Sequence, residues 1–217
     1  MSDLHVIGSF ATEALAPERV GGKAANLAVM ARLCLPVPPA FVLPVDLCAA
    51  IVAGKRKASA ELRGLIDRGM AHLEAVTGCR FGDRRRPLLV SVRSGAARSM
   101  PGMLETVLDV GATDEAVAGL VRITGNPRFA RDCRRRFLEG WAETVLGLDP
   151  TPLHRHLADL LAAEGVASER ELDLRAGDDL VVAALRHVDA AGHAVPTDPR
   201  DQLEAATDAS VTSRWID

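Results

Sequence analysis

Near residue 112 the punctuation of the chain changes, and that change limits the architecture more than any other feature. Before it, helical patterns alternate with short apolar runs bounded by glycine and proline; after it, the only signals are those of helices. Phe41-Val42-Leu43 reads as a strand, Leu88-Leu89-Val90-Ser91-Val92 after Pro87 as a buried strand, and Thr106-Val107-Leu108-Asp109-Val110 as a third, closed by Gly111. Gly21-Gly22 opens a helical pattern with Leu27, Met30 and Cys34 on one face, stopped by Pro36, Pro38 and Pro39. A longer helix follows Ser59 as N-cap. Its face is Leu62, Leu65, Ile66, Met70, Leu73 and Val76, and Gly78 is its C′ residue.

Beyond 112, Thr113 precedes Asp114 and Glu115, acids well placed for a helix dipole. Asn126-Pro127, Thr151-Pro152 and Asp198-Pro199 each pair a capping residue with proline at the first helical position. Phe129, Cys133, Phe137, Trp141 and Val145 form one i, i+4 stripe. Leu153, Leu157, Leu160 and Leu161 form a second, and Leu180, Val181, Ala184, Leu185 and Val188 a third. The chain therefore divides near 112 into an α/β part and a helical part.

Charge follows the same division. The 217 residues carry 26 basic and 29 acidic side chains, a net −3. Residues 1–112 hold 14 basic and 10 acidic, net +4, and residues 113–217 hold 12 and 19, net −7. The front half suits an anionic ligand and the back half an acidic, solvated surface. No apolar run approaches the roughly 20 residues of a membrane span. The first ten residues lack a basic and apolar leader, which points to the cytoplasm. Cys34, Cys48, Cys79 and Cys133 form no CxxC pair, which argues against a zinc knuckle or a disulfide scaffold.

Two constellations carry chemistry. In Gly21-Gly22-Lys23-Ala24-Ala25-Asn26-Leu27, glycines at a helix start let backbone N–H groups approach an anion, with a lysine beside them. It is not a Walker A loop, because spacing and the residue after lysine both fail. Only three of the 26 basic residues are lysines, and Lys23 is the one outside the Lys55–Lys57 stretch. Taken alone, the pattern more often describes a glycine turn with a surface lysine. In Ser91-Val92-Arg93-Ser94, followed by a small-residue loop to Met103, a strand delivers a guanidinium to its end. That arrangement suits bidentate phosphate recognition, with a structural arginine paired to an acid as the equal alternative.

Other candidates are weaker. Arg84-Arg85-Arg86 and Arg134-Arg135-Arg136 suggest nucleic acid, but the chain has no tyrosine, no interleaved aromatics and a net negative charge. Arg128, Arg131 and Arg135 share a helix face opposite the Phe129/Phe137/Trp141 stripe and read as a solvated face. His154 and His156 point to different sides of a helix and cannot chelate one ion. His72, His187 and His193 are isolated, and no serine sits in a GxSxG elbow.

Taken together, GGKAANLAVMARLCLPVPPAFVL and FGD…PLLVSVRSGAARSMPGMLETVLDVG resemble the start of the pyruvate, phosphate dikinase family. TGNPRFARDCRRRFLEGWAETVLG and VPTDPRDQL resemble it too, so the likeness covers nearly the whole chain and is weakest around 150–195. The resemblance implies an α/β (α+β) partial ATP-grasp lobe with an all-helical insertion subdomain. Residues 1–112 would be the lobe, 113–197 the helical subdomain, and 198–217 a terminal helix returning to the first lobe. It implies Mg-ATP as ligand, with Lys23 and Arg93 on the phosphates beside Gly21 and Gly22. Ser99, Gly102 and Met103 would form a flap over the nucleotide, with Thr106 behind it.

The family's second lobe with its magnesium carboxylates, its phosphohistidine domain and its pyruvate barrel find no match here. Ala24 stands where glycine is common, Arg131 and Arg134 where aromatics are expected, and Ser210–Trp215 match only loosely. The expectation is an ATP-binding fragment of a dikinase-like phosphotransferase, inactive alone, with no catalytic residue or metal ligand of its own. It would bind no nucleic acid and no membrane, and a separate chain would supply the missing lobe. The alternative is a non-catalytic interaction module or split-enzyme subunit that pairs with another chain.

Overall fold

The computed structural model describes residues 4–8, 13–53, 56–94 and 106–212. Ser99, Gly102 and Met103 lie outside the described residues. The chain forms two compact units: residues 1–79, 93–105 and 210–217 in the first, and residues 80–92 and 106–209 in the second. The composition change at 112 falls inside the second unit.

In the first unit, β1 (His5–Ile7) pairs antiparallel with β2 (Ala40–Val42), with Val6 opposite Phe41. Around this ribbon lie α1 (Pro17–Val20), α2 (Gly22–Arg32), α3 (Val45–Val52) and α4 (Arg56–Thr77). The α4 helix packs on α3 and β2, and α2 on α1 and β1. Leu62, Leu65, Ile66, Met70 and Leu73 of α4 are buried, as the apolar spacing requires, whereas Val76 is exposed. A Cβ at Gly69 would lie 2.4 Å from the Phe41 ring, so glycine is what lets α4 close on β2. Gly78, at φ 65°, ends α4 as expected. Ser59 lies inside α4 rather than capping it, since the helix already runs through residues 56–58.

The face expected of α2 is not the one it buries. Ala25 and Ala28 are buried, Leu27 is half-buried, and Met30 and Cys34 are exposed. The helix packs through its smallest side chains, which allows close approach to its neighbours. Its C-terminus is a Schellman turn: Leu35 N–H donates to Met30 O at 3.1 Å across Cys34, which is left-handed at φ 57°.

In the second unit, β3 (Arg80–Phe81) pairs parallel with β4 (Pro87–Leu88), and β5 (Val90–Arg93), whose last residue Arg93 counts with the first unit, pairs with β6 (Thr106–Val110). The run expected as one buried strand is thus broken at Leu89, and none of residues 88–92 is fully buried. Each piece belongs to a separate two-stranded sheet, and β4 lies against α5.

The remainder of this unit is helical. It comprises α5 (Asp114–Thr124), α6 (Pro127–Gly140) running into a π-helical turn (Trp141–Val145), α7 (Thr151–Glu164), a 3-10 turn (Glu169–Glu171), α8 (Leu174–Ala190) and α9 (Pro199–Thr212). Thr113 Oγ1 accepts from Ala116 N–H at 3.2 Å, Asn126 Oδ1 from Phe129 N–H at 3.0 Å, and Asp173 Oδ1 from Ala176 N–H at 2.8 Å. Thr151 is the first residue of α7 rather than its cap; its N–H donates to Asp149 Oδ1 at 2.9 Å.

The α6 helix is central, packing on β6, α5 and α8. Cys133, Phe137 and Trp141 are buried, but Phe129, in the first turn, is 47% exposed and leaves the expected stripe. A second cluster joins Leu172, Ala176 and Leu180 to Leu157, Leu160, Leu161 and Val166. Leu185 stays exposed. Glycines set two close approaches: a Cβ at Gly82 would meet Pro199 at 2.4 Å, and one at Gly111 would meet Phe81 at 2.5 Å, both at positive φ.

Candidate functional site

Lys23 lies in the first turn of α2. Gly21 precedes it as the N-cap residue at φ 84°, a conformation that favours glycine, and is itself buried. Gly21 O accepts from Ala25 N–H at 3.1 Å, so the helical ladder starts there. The earlier N–H groups of the first turn have no helical partner and mark the positive end of the dipole. Arg93 is the last residue of β5 and is exposed.

Lys23 and Arg93 belong to the same unit, and they share a field. Partial burial holds the Lys23 ammonium below its ordinary value, and the positive charge of Arg93 lowers it further. Like charges held together destabilise each other until an anion arrives. Both groups are cations, so they suit phosphate oxygens rather than a metal ion.

Thr106 begins β6 and is half-buried. It lines a cleft of about 210 Å³ together with Arg136, Glu139, Glu143 and His154. Arg136, Glu139 and Glu143 follow one face of α6 into the π-helical turn, an i, i+3, i+7 spacing legible in the sequence but not singled out there.

The remaining titratable groups of α6 are structural. Burial, with Asp109 and Asp132 nearby, pushes the Cys133 thiol up to about 12, so it is no nucleophile at neutral pH. Burial also raises Asp109. Contrary to the solvated-face reading, Arg134 and Arg135 are buried. Arg134 Nη1 donates to Ala112 O at 2.5 Å and its guanidinium sits 5.8 Å from the Phe137 ring. Arg135 pairs with Asp132 at 2.7 Å, Glu139 at 2.8 Å and Glu169 at 2.5 Å. Arg131 pairs with Asp178 and Arg136 with Asp132, both at 2.7 Å. His156 pairs with Asp179 at 2.8 Å. Among the described residues no group of three or more His, Cys, Asp or Glu side chains is placed to hold a metal ion. No helix among them is long and apolar enough to cross a membrane.

No protein-family model matches the chain. Individual relatives do. Pyruvate, phosphate dikinase of Rhizobium meliloti (strain 1021) is 38% identical over 200 residues, 92% of this chain and 22% of that protein. The chloroplastic enzyme of Flaveria pringlei is 40% identical over 197 residues, covering 90% of this chain and 20% of its own length. That of Clostridium symbiosum is 36% identical over 193 residues, 88% of this chain and 22% of the relative. At such identity over nine-tenths of its residues, the chain is a homologue of the pyruvate, phosphate dikinases and spans about a fifth of their length.

Proposed function

We propose that this chain carries the phosphate-facing part of a nucleotide site of ATP-grasp type. In this reading Lys23 and Arg93 neutralise phosphate oxygens of Mg-ATP, and the N–H groups around Gly22 point at the same anion. The observation that supports it is the electrostatic coupling of Lys23 to Arg93 in a chain homologous to dikinases. Ser99, Gly102 and Met103 would form the flap and Thr106 its anchor. Residues 1–112 would be the α/β lobe, 113–197 its helical subdomain and 198–217 the returning helix. Magnesium would arrive with the nucleotide and would offset part of the phosphate charge.

The same reading holds the chain inactive by itself towards pyruvate and phosphate. Further polypeptide, from the same or another chain, would supply the second lobe and the phosphate acceptor. A one-sided site leaves phosphates largely in water, where each exposed ion pair contributes about 0–1 kcal/mol. Two such contacts do not offset the roughly 4 kcal/mol or more lost on association.

Calorimetric titration with Mg-ATP tests this. The expected dissociation constant is nearer millimolar than micromolar, about −4 rather than −8 kcal/mol. Adding the second lobe of a homologous dikinase should tighten it. Micromolar affinity in the isolated chain, abolished by Lys23→Ala, would show that the half-site suffices.

A further inference from the structure

The two arginine triplets, alike in sequence, are opposites in the structure. Arg134, Arg135 and Arg136 on α6 are paired with carboxylates of their own unit. Arg84, Arg85 and Arg86, in the turn between β3 and β4, are exposed, and none makes an ion pair among the described residues.

That turn is built, not loose. Asp83 Oδ1 accepts from Arg85 N–H at 2.6 Å and from Arg86 N–H at 2.8 Å, and Arg80 N–H donates to Arg86 O at 2.8 Å. These backbone hydrogen bonds hold the Asp83 carboxyl below its ordinary value, with Arg85 and Arg80 adding to the effect. Arg122 Nη1 donates to Arg84 O at 3.3 Å, fixing the turn on α5. Gly119 makes room for it, since a Cβ there would lie 2.9 Å from Arg84 O. Gly119, Arg122 and Ile123 are at i, i+3 and i+4, hence on one helix face, and Ile123 is 52% exposed. The result is a backbone-ordered turn that carries three exposed arginines, held against the α5 face on which Arg122 and the exposed Ile123 lie.

We propose that this surface docks a carboxylate-rich segment of a partner protein, with one apolar side chain of that segment set against Ile123. Guanidiniums match carboxylates bidentately, and the ordered backbone of the turn leaves only the arginine side chains to immobilise on binding. Arginine beside an exposed apolar residue is the mixture found at protein interfaces. Nucleic acid fits less well: the chain is net −3, and Phe81, the one aromatic between Arg80 and Leu88, lies against Gly111.

The test uses the full 217-residue chain and a fluorescent twelve-residue Glu/Asp peptide with a central leucine, followed by anisotropy at about 50 mM and 300 mM salt. Saturable binding is expected, weakened by salt. The triple variant Arg84→Gln/Arg85→Gln/Arg86→Gln should lose at least about tenfold in affinity. Arg186→Gln, an exposed arginine on α8, should leave it unchanged. The triplet side chains are exposed, so the triple variant should keep the helical circular dichroism of the parent. Three results overturn the proposal: no saturable binding at low salt, equal losses in both variants, or a single-stranded oligonucleotide of equal charge binding as tightly as the peptide.

Discussion

Gln202 Oε1 accepts a hydrogen bond from the backbone N–H of Gly111 at 3.1 Å, joining residues ninety-one positions apart. The same amide donates through Nε2 to Pro196 O at 2.7 Å, and the side chain is fully buried. A glutamine thus satisfies two backbone groups, one just past β6 and one in the loop before α9. Gln202→Leu keeps the volume but strands both backbone groups. It should destabilise the chain by about 2–3 kcal/mol, read from the urea midpoint. A loss below about 0.5 kcal/mol would show that the two bonds are dispensable.

Cys34 occupies the left-handed C′ position after α2, where a Cβ is disfavoured. Cys34→Gly should stabilise by about 0.5 kcal/mol, the relief of the Cβ outweighing the added freedom of the unfolded chain. Cys34→Val should cost about 1–2 kcal/mol, since a β-branched residue tolerates this conformation least. The order Gly, Cys, Val in thermal midpoint is the check; a valine variant as stable as the parent contradicts it.

Arg135 holds three carboxylates from α6 and the 3-10 turn. Burial works against the Asp132 charge, yet hydrogen bonds from Arg135 and Arg136 hold its carboxyl below the ordinary value. A carboxyl lowered by folding contributes stability that is present above its unfolded value and lost as pH falls through the folded one. Stability should therefore decline on acidification through the carboxylate range. Arg135→Met should flatten that decline and cost about 1 kcal/mol at pH 7, by leaving the half-exposed Glu139 and Glu169 without this partner while Asp132 keeps Arg136. An unchanged acid limb in the variant would assign the decline to other groups.

Asp109 presents the opposite sign. Burial raises its carboxyl, so its charge opposes folding at pH 7 and the penalty fades as pH falls through its folded value. Its φ of 53° is one that asparagine accepts readily. Asp109→Asn should stabilise by about 0.5 kcal/mol at pH 7, with the gain vanishing in acid. Denaturation curves at pH 7 and pH 3 decide it, and a gain independent of pH would point to the backbone alone.

The Lys23–Arg93 coupling can be read without nucleotide. A lowered lysine is more often neutral and so more reactive toward acylating reagents. At pH 9 Lys23 should acetylate faster than Nα-acetyl-lysine in the same tube, and Arg93→Gln should slow it. No change in the variant would separate the two charges.

Much of the second unit was legible because its signals are local. Thr113 and Asn126 cap the helices they precede, and Thr106–Val110 forms one strand. What stayed illegible depends on partners far along the chain. Arg134 and Arg135 look solvated by composition, yet Ala112 O and Glu169 draw them inward. In α2 the larger apolar residues marked the wrong face, because close packing there favours alanine over leucine. Lys23 and Arg93 were legible singly, as residue types at a helix start and a strand end. Seventy residues separate them, and only the fold puts one charge within reach of the other.

The two units pass the chain back and forth: the first holds residues 1–79, the second takes 80–92, the first resumes with 93–105, and 106–209 and 210–217 repeat the exchange. No single cut yields one whole unit and leaves the other intact. An expression boundary placed where composition changes, at 112, would strip β6 of the helix it packs on and give two incomplete halves. By the same token, a crossover anywhere between 80 and 209 should separate parts of both units, so transplanting the stretch as one block is expected to preserve folding better than exchanging either piece.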